Sequence, residues 1–563
     1  MLKWKSKEGL ESLAVTLVNQ KSVSGTVHEV DMAKKIYQLL QTVEYFQKHP
    51  ENLFLEELPN DPLKRCFVSA LMEGKGPSNN TLILLGHMDT VDIQDFGPLQ
   101  KYAFQPYEYT KNLNPDTLKE DSRQDLLSGE WLFGRGIMDM KSGVAMQMAL
   151  LEEYSTKEDF DANLLFIVVP DEETNSEGML GGVPFLNKLI EQRNLNPLAV
   201  LNCEPTFGAY PGDNNKYIYL GTAGKLLPGF YFVGKENHVG ESLGGLNVNL
   251  IASEFMTRLE INTDLCDEVD GEVTVPPTCL RYKDLKELYS AQTPVSSVAY
   301  YNLLTLEMSP KKVIDKFKSI AEEALDAAIE KVKIQGENYK AKSGLPVKNL
   351  SFKPQVMLFS ELYELARNAK GEEFTKHMEA YIEKWKNDKS LDERELNIRI
   401  VSEVHSFCPN REPMIVIFFS PPYYPHVGLK GESEFEKYLH CLADRLIDKA
   451  DVEYNEKISK QKYFQGLSDL SYFALQDAEE VVDYLKPNMP SWGYRYHIPV
   501  EEIKKLNLPV LNYGPHGRDP HKFTERILVN YSYDVAPKLL RFLVEEIFKF
   551  EQTSIKEYGE QIS

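Results

Sequence analysis

Up to about Gly221 the chain alternates two kinds of apolar pattern. Apolar positions recur at helical spacing in SLAVTLVNQ (12–20), DMAKKIYQLLQTVEYF (31–46), MKSGVAMQMALLEEY (140–154) and GGVPFLNKLIEQR (181–193). Between them, TLILLG (81–86), NLLFIVVP (163–170) and PLAVLNCE (197–204) are short continuous apolar runs, which read as buried strands. Strands that are apolar on both faces and separated by amphipathic helices predict a largely parallel sheet covered on both sides.

After Gly221 the texture changes. KLLPGFYFVGKE (225–236), GEVTVPP (271–277), SSVAYYNLLTLEM (296–308) and a last strand near NYKAKSG (338–344) interleave with the helices GLNVNLIASEFMTRLE (245–260) and SPKKVIDKFKSIAEEALDAAIEKV (309–332). That order is a β-α-β-β-α-β unit, a self-contained two-layer module. Beyond Gly344, VMLFSELYELARNA and EEFTKHMEAYIEKWKND read as added helices at about 350–395. PMIVIFFS, EFEKYLHCLADRLIDKA, PVLNYG and VAPKLLRFLVEEIFKF then return to the first texture. The expected fold is α/β: a mostly parallel sheet flanked by helices, built from 1–220 and 345–563, with an inserted ferredoxin-like lid at 221–344. The charged cluster from Lys119 to Asp125 reads as solvated loop.

Composition narrows the function. At 563 residues the chain exceeds one hydrophobic core. A net charge of -22 without a compensating basic block excludes nucleic acid and anionic membrane surfaces as partners. The longest apolar runs are too short to span a bilayer, and the N-terminal stretch reads as an amphipathic helix rather than a leader peptide. Six cysteines scattered without CxxC pairs suit reduced thiols, so the expected location is the cytoplasm.

In a parallel α/β sheet, ligands gather at the carboxyl ends of the strands. Here those ends carry His87 and Asp89, then Asp171, Glu172 and Glu173, then Glu204. The glycine-rich turn GRGIMDMKSG adds Asp139 before a helix, and YGPHGRDPHKFTE adds His516 and His521 after another strand. Each residue alone has an ordinary reading as a cap, a turn residue or a complement to a helix dipole. Together they bring imidazoles and carboxylates to one edge.

GHMDTVD, GRGIMDMKSG, PDEETNSEG, CEPT and HKFTE, in that order, resemble the successive signatures of the M20 family of co-catalytic metallopeptidases and deacylases, and GLSDLSYF is similar to its GGTD-type segment. Length and inserts look most like the arginine-utilisation (RocB-type) branch. The resemblance implies a zinc-peptidase-like catalytic domain holding two divalent ions, with His87 and Glu204 on one, Glu173 and His521 on the other, and Asp139 bridging. It implies that Asp89 orients His87 and that Glu172 is the general base. It makes His238 and Asn247 substrate-binding residues of the lid, with a homodimer through that lid as a possible assembly. The implied substrate is a small peptide or N-acyl amino acid, in arginine or amino-acid catabolism. Nitrogen and oxygen donors suit zinc, manganese or cobalt alike.

Two departures from the family pattern stand out. The connection from Asp89 to Asp139 is longer than usual, and AYYNLLTL (299–306) lacks the Asp-x-Arg common on the corresponding lid strand, which weakens a conventional carboxypeptidase reading. Cys203 is expected to face the core. The alternatives are a metal-binding relative without catalysis, and a serine hydrolase using Ser242 of GESLG (240–244). The latter is weakened because GKENHVGE separates that serine from its strand. A phosphate-loop reading of GRGIMDMKSG fails because Met140 stands where glycine is needed before Lys141.

Overall fold

The strand Asn80–His87 runs through the middle of an eight-stranded sheet with every residue buried. A computed structural model describes residues 2–210, 212–347, 350–388 and 391–550. It divides into two units: one comprises the residues up to Ala223, Val427–Leu475 and those from Pro499 onward; the other comprises Gly224–His426 and Gln476–Ile498.

In the first unit the sheet order is Leu53–Glu57, Cys66–Met72, Asn163–Val169, Asn80–His87, Asn196–Asn202, Val510–Asn512, Lys216–Tyr219 and Ile458–Gln461. The four strands from Asn163–Val169 to Val510–Asn512 are parallel, so their carboxyl ends share one edge. Alternate residues serve opposite faces, as the pleat requires. Leu82, Leu84, Phe166, Val168, Ala199 and Leu201 join a core with residues of the helices Lys7–Asn19, Ser142–Tyr154, Glu434–Tyr454 and Ala536–Ile547. On the other face, Ile167 meets the helix Glu177–Gln192 at Gly182.

The helix Ser142–Tyr154 is buried on every side. At Gly143 it approaches the strand end at Cys203 so closely that a Cβ would lie 2.0 Å from the Cys203 carbonyl oxygen. The start of this helix is thereby held beside Glu204.

The second unit has a five-stranded sheet in the order Thr278–Asp284, Ser296–Thr305, Gly224–Val233, Met414–Tyr424 and Gln355–Leu358. Phe230 packs on Phe255 and Phe317 of the helices Val248–Leu259 and Pro310–Ser343. On the opposite face Tyr231, Val233, Val298, Val416 and Phe418 share a core with the helices Phe359–Lys370, Glu372–Lys386 and Glu393–Phe407.

This unit corrects several expectations. It is a three-layer body larger than 221–344, and it takes in the helices expected at 350–395 and PMIVIFFS, which pairs antiparallel with Gly224–Val233. A fully buried apolar run carries no local sign of which sheet it joins. NYKAKSG is not a strand: the helix Pro310–Ser343 continues through it and stops at Gly344, whose φ of 68° is the left-handed conformation that glycine adopts without strain. GEVTVPP contributes only the two-residue strand Glu272–Val273, and Thr278–Asp284 forms the sheet edge instead. In the first unit the Lys119–Asp125 cluster is not loop but opens the helix Glu120–Ser128.

Candidate metal centre

His87 is the last residue of its strand and is 1% exposed. Its Nε2 lies 3.1 Å from Asp139 Oδ1 and 3.4 Å from Glu204 Oε1, and its Nδ1 lies 3.5 Å from Asp89 Oδ1. His521 Nε2 lies 3.2 Å from Asp139 Oδ2 and 3.0 Å from Glu173 Oε2. The two oxygens of Asp139 thus face two different histidines, each with its own glutamate. His87, Asp139 and Glu173 each offer a ligand atom within 4.8 Å of the others.

Asp89 does more than face His87. Its Oδ2 accepts hydrogen bonds from Ser24 Oγ at 2.6 Å and Glu173 N at 3.2 Å, and its Oδ1 accepts from Glu172 N at 3.1 Å. The carboxylate beside the histidine therefore also holds the backbone of the Glu172–Glu173 turn. Asp171 anchors the same turn from the other side, with φ at 70°. Its carboxylate accepts from Arg65 Nη1 at 2.5 Å, Thr174 Oγ1 at 2.5 Å and Glu177 N at 3.2 Å. Its own N–H donates to Glu29 Oε1 at 2.9 Å.

Ser24, Glu29 and Arg65 lie outside every motif, and no local pattern marks them. Glu29 and Arg65 are buried, so removing one partner strands the others without water. Arg65→Met is expected to cost about 3–5 kcal/mol of unfolding free energy in a denaturant titration. A cost under about 1 kcal/mol would show that the network is not under this constraint.

Asp139 is held through its backbone. Glu525 Oε1 accepts from Met138 N at 3.2 Å and Asp139 N at 3.4 Å, while Arg135 Nη1 donates to Glu525 Oε2 at 2.8 Å. The Asp139–Met140 peptide is cis. Glu525 closes the HKFTE motif, where sequence reasoning singled out only the histidine.

Asp469, in GLSDLSYF, is also buried, and its carboxyl is pushed up to about 8 by burial and by the charges of Asp89 and Glu204, against the nearby Ser176 hydroxyl and the charge of His87. The resemblance marks the GLSDLSYF segment, while nothing in its local pattern marks Asp469 as a buried acid. His516 is not part of the cluster; its ring lies between Trp131 and Tyr531, and burial pushes it down to about 3. Cys203 is buried as expected, and burial raises its thiol.

The electrostatics test whether this set suits cations. Six carboxyl groups, Asp89, Asp139, Glu172, Glu173, Glu204 and Asp469, stand against two imidazoles, and the ion pairs described among them go to those imidazoles. Burial, then the charges of Asp139 and Glu173, against His87, pushes Glu204 up to about 7. Glu172 is raised well above the carboxylate range by loss of water, with Asp469, Glu204 and Glu173 adding to it against His87. Partial loss of water opposes charge on the half-exposed His521, yet Asp139 and Glu173 hold it up at about 11. Such an excess of acceptors is relieved by divalent cations, and nitrogen and oxygen donors without thiolate suit zinc, manganese or cobalt.

His238 and Asn247 belong to the second unit. His238 is exposed and its Nδ1 accepts from Gly240 N at 3.1 Å; Asn247 caps the helix Val248–Leu259 by accepting from Asn249 N at 2.9 Å. Ser242 follows the short turn Val239–Glu241 and does not adjoin a strand end, as a nucleophile elbow requires.

Comparison with known proteins gives the family. "Uncharacterized protein YqjN" of Bacillus subtilis is 38% identical over 98% of this chain and 99% of its own. "Protein RocB" of the same organism is 36% identical over 95% and 94%. The crystal structure of aminopeptidase PepT from Bacillus cereus covers 97% of this chain and 99% of its own at 12% identity with a TM-score of 0.50, a likeness of fold. Peptidase family M20/M25/M40 matches residues 83–509. With the family matched over most of the chain and two relatives matched over nearly all of it, the protein belongs to peptidase family M20/M25/M40 and is a hydrolase of that metallopeptidase kind.

Proposed function

We propose that the protein hydrolyses an amide bond of a small peptide or N-acyl amino acid at a two-ion centre. The observation that carries the reading is the shared carboxylate of Asp139, one oxygen toward His87 and Glu204, the other toward His521 and Glu173. His87, Glu204 and Asp139 would hold one ion, and His521, Glu173 and Asp139 the other. When bound, two divalent ions supply acidification of water and polarisation of an acyl oxygen.

Glu172 takes a proton from the attacking water and returns it to the amine nitrogen as the C–N bond breaks. Asp89 holds that base in place through the Glu172 N–H and keeps the His87 imidazole oriented with Nε2 toward Asp139. His238 and Asn247 are proposed to contact substrate, and a homodimer through the second unit is the proposed assembly.

The resemblance to the arginine-utilisation branch supports a role in arginine or amino-acid catabolism. The missing Asp-x-Arg in 299–306 weakens a conventional carboxypeptidase reading. The proposed location is the cytoplasm; no helix among the described residues is long and apolar enough to cross a membrane.

The test is a panel of N-acyl amino acids and dipeptides, including arginine derivatives, assayed before and after treatment with a strong chelator. Turnover of at least one substrate should vanish on chelation and return with added Zn²⁺, Mn²⁺ or Co²⁺, while a serine-acylating reagent leaves it intact. Chelator-resistant turnover, or ion uptake without turnover across the panel, would overturn the reading.

A further inference from the structure

The stretch between Asp89 and Asp139 forms a small body of its own. It contains the kinked turn Gln94–Tyr102, the helices Pro106–Asn112 and Glu120–Ser128, and the strand Trp131–Phe133. Phe96, Phe104, Tyr109, Leu113, Trp131 and Phe133 give it a separate core.

Its strand joins a three-stranded sheet. Trp131–Phe133 pairs antiparallel with Arg526–Leu528, which pairs with Gly517–Arg518. The loop between those last two strands, 519–525, carries His521, and the residues directly after Phe133 lead into Asp139. One small sheet therefore bears both ligand loops.

The polar contacts follow the same plan. Asp125 Oδ2 accepts from Arg526 Nε at 2.7 Å and from Arg518 Nη1 at 2.8 Å, at the two feet of the His521 loop. Arg526, fully buried, reaches on through Nη1 to Asp519 Oδ2 at 2.5 Å, two residues before His521. Tyr109 Oη donates to the carbonyl of Phe523 at 2.7 Å, two residues after it. Asp95 accepts from Arg135 Nη2 at 3.1 Å, and Arg135 holds Glu525, whose other oxygen receives the N–H groups of Met138 and Asp139.

His521 needs such support. Its side chain is 52% exposed against 1% for His87, and both Asp519 and His521 have φ near 60° (58° and 61°), a conformation costly for residues with a side chain. The His87 and Glu204 side is different, because those residues sit at the ends of central strands.

We infer that the body Gln94–Phe133 positions the Asp139–His521 half of the ion centre, with Asp125 and Tyr109 acting on the His521 loop and Asp95 on the Asp139 turn. This rests on the two-ion reading above. Asp125, Tyr109 and Asp95 are positioning residues; removal of Asp125 or Tyr109 should loosen the His521 ion and leave the other, whereas Asp95 bears on the shared Asp139 and so on both.

The experiment is a Zn²⁺ titration of metal-free protein against a competing chelator, by calorimetry, for wild type, Asp125→Ala, Asp125→Glu, Tyr109→Phe and the exposed control Asp116→Ala, each checked by melting temperature. Wild type and control should take up two ions. Asp125→Ala should bind one of them on the order of 10- to 100-fold more weakly, the usual effect of losing an outer partner of a ligand. Tyr109→Phe, which deletes only a hydroxyl, should shift the same ion by less, and Asp125→Glu should recover part of the affinity.

Two ions bound with wild-type affinities by both Asp125→Ala and Tyr109→Phe would overturn the inference and leave the two-ion reading standing. Wild type that takes up fewer than two would remove both. If Asp125→Ala does not fold, Tyr109→Phe and Asp125→Glu decide the matter.

Discussion

In Glu172→Gln, kcat on an amide substrate is expected to fall by about 10²- to 10⁴-fold, the range lost when a positioned acid–base group is removed. The substitution keeps size and planarity, replaces one carboxylate oxygen by an amide NH2, and removes the ability to take up a proton. The fold of the turn should survive, because Asp89 holds it through the backbone N–H of residues 172 and 173, which glutamine retains. Ion content should also survive, since the proposed ligands are His87, Asp139, Glu173, Glu204 and His521.

Two readouts are therefore required together: steady-state kinetics and elemental analysis of the same preparation. A variant that keeps its ions and loses less than about tenfold in kcat would remove Glu172 from the proton-transfer role. A variant that loses its ions would move Glu172 into the ligand set instead.

Asp139→Ala is expected to have the largest effect on the ions themselves. In the wild type one carboxylate serves both histidines, so its loss removes a donor from each group at once. About two ions per chain should fall to one or none after dialysis against trace metal, with turnover lost alongside. The variant should still fold, because Glu525 holds the Asp139 backbone rather than its side chain, and a circular dichroism spectrum checks this. Two ions retained in folded Asp139→Ala would show that the two halves do not share this carboxylate.

Much of this centre was legible along the chain. His87, Asp139, Glu173, Glu204 and His521 each lie in a short motif at a strand end or helix start, where chemistry and local structure coincide. What was not legible holds those residues in place. Arg65 reaches Asp171 across 106 positions and Arg135 reaches Glu525 across 390, and neither pair leaves a periodic or motif signal. Asp125 lay in a stretch read as solvated loop, yet it faces two arginines, one of them fully buried. A carboxylate in a charged cluster looks the same whether it points to water or to a partner four hundred positions away in sequence.

The second unit marks the same boundary. Its strand Gly224–Val233, the helix Val248–Leu259 and the helix Pro310–Ser343 as far as Val332 follow from their apolar patterns, because such patterns depend on neighbours a few residues away. The pairing of Met414–Tyr424 beside Gly224–Val233, and the three helices covering that face, do not.

By itself, then, the chain's sequence determined most of the element types, the α/β class and which residue types are offered as candidate donors, since these rest on local backbone preference and side-chain chemistry. Only the tertiary structure decided which sheet each buried strand joins, how Asp139 divides its two oxygens, and which distant carboxylates and arginines brace the ligand loops. Those outcomes depend on burial and on charge pairing between segments that meet only once the chain is folded.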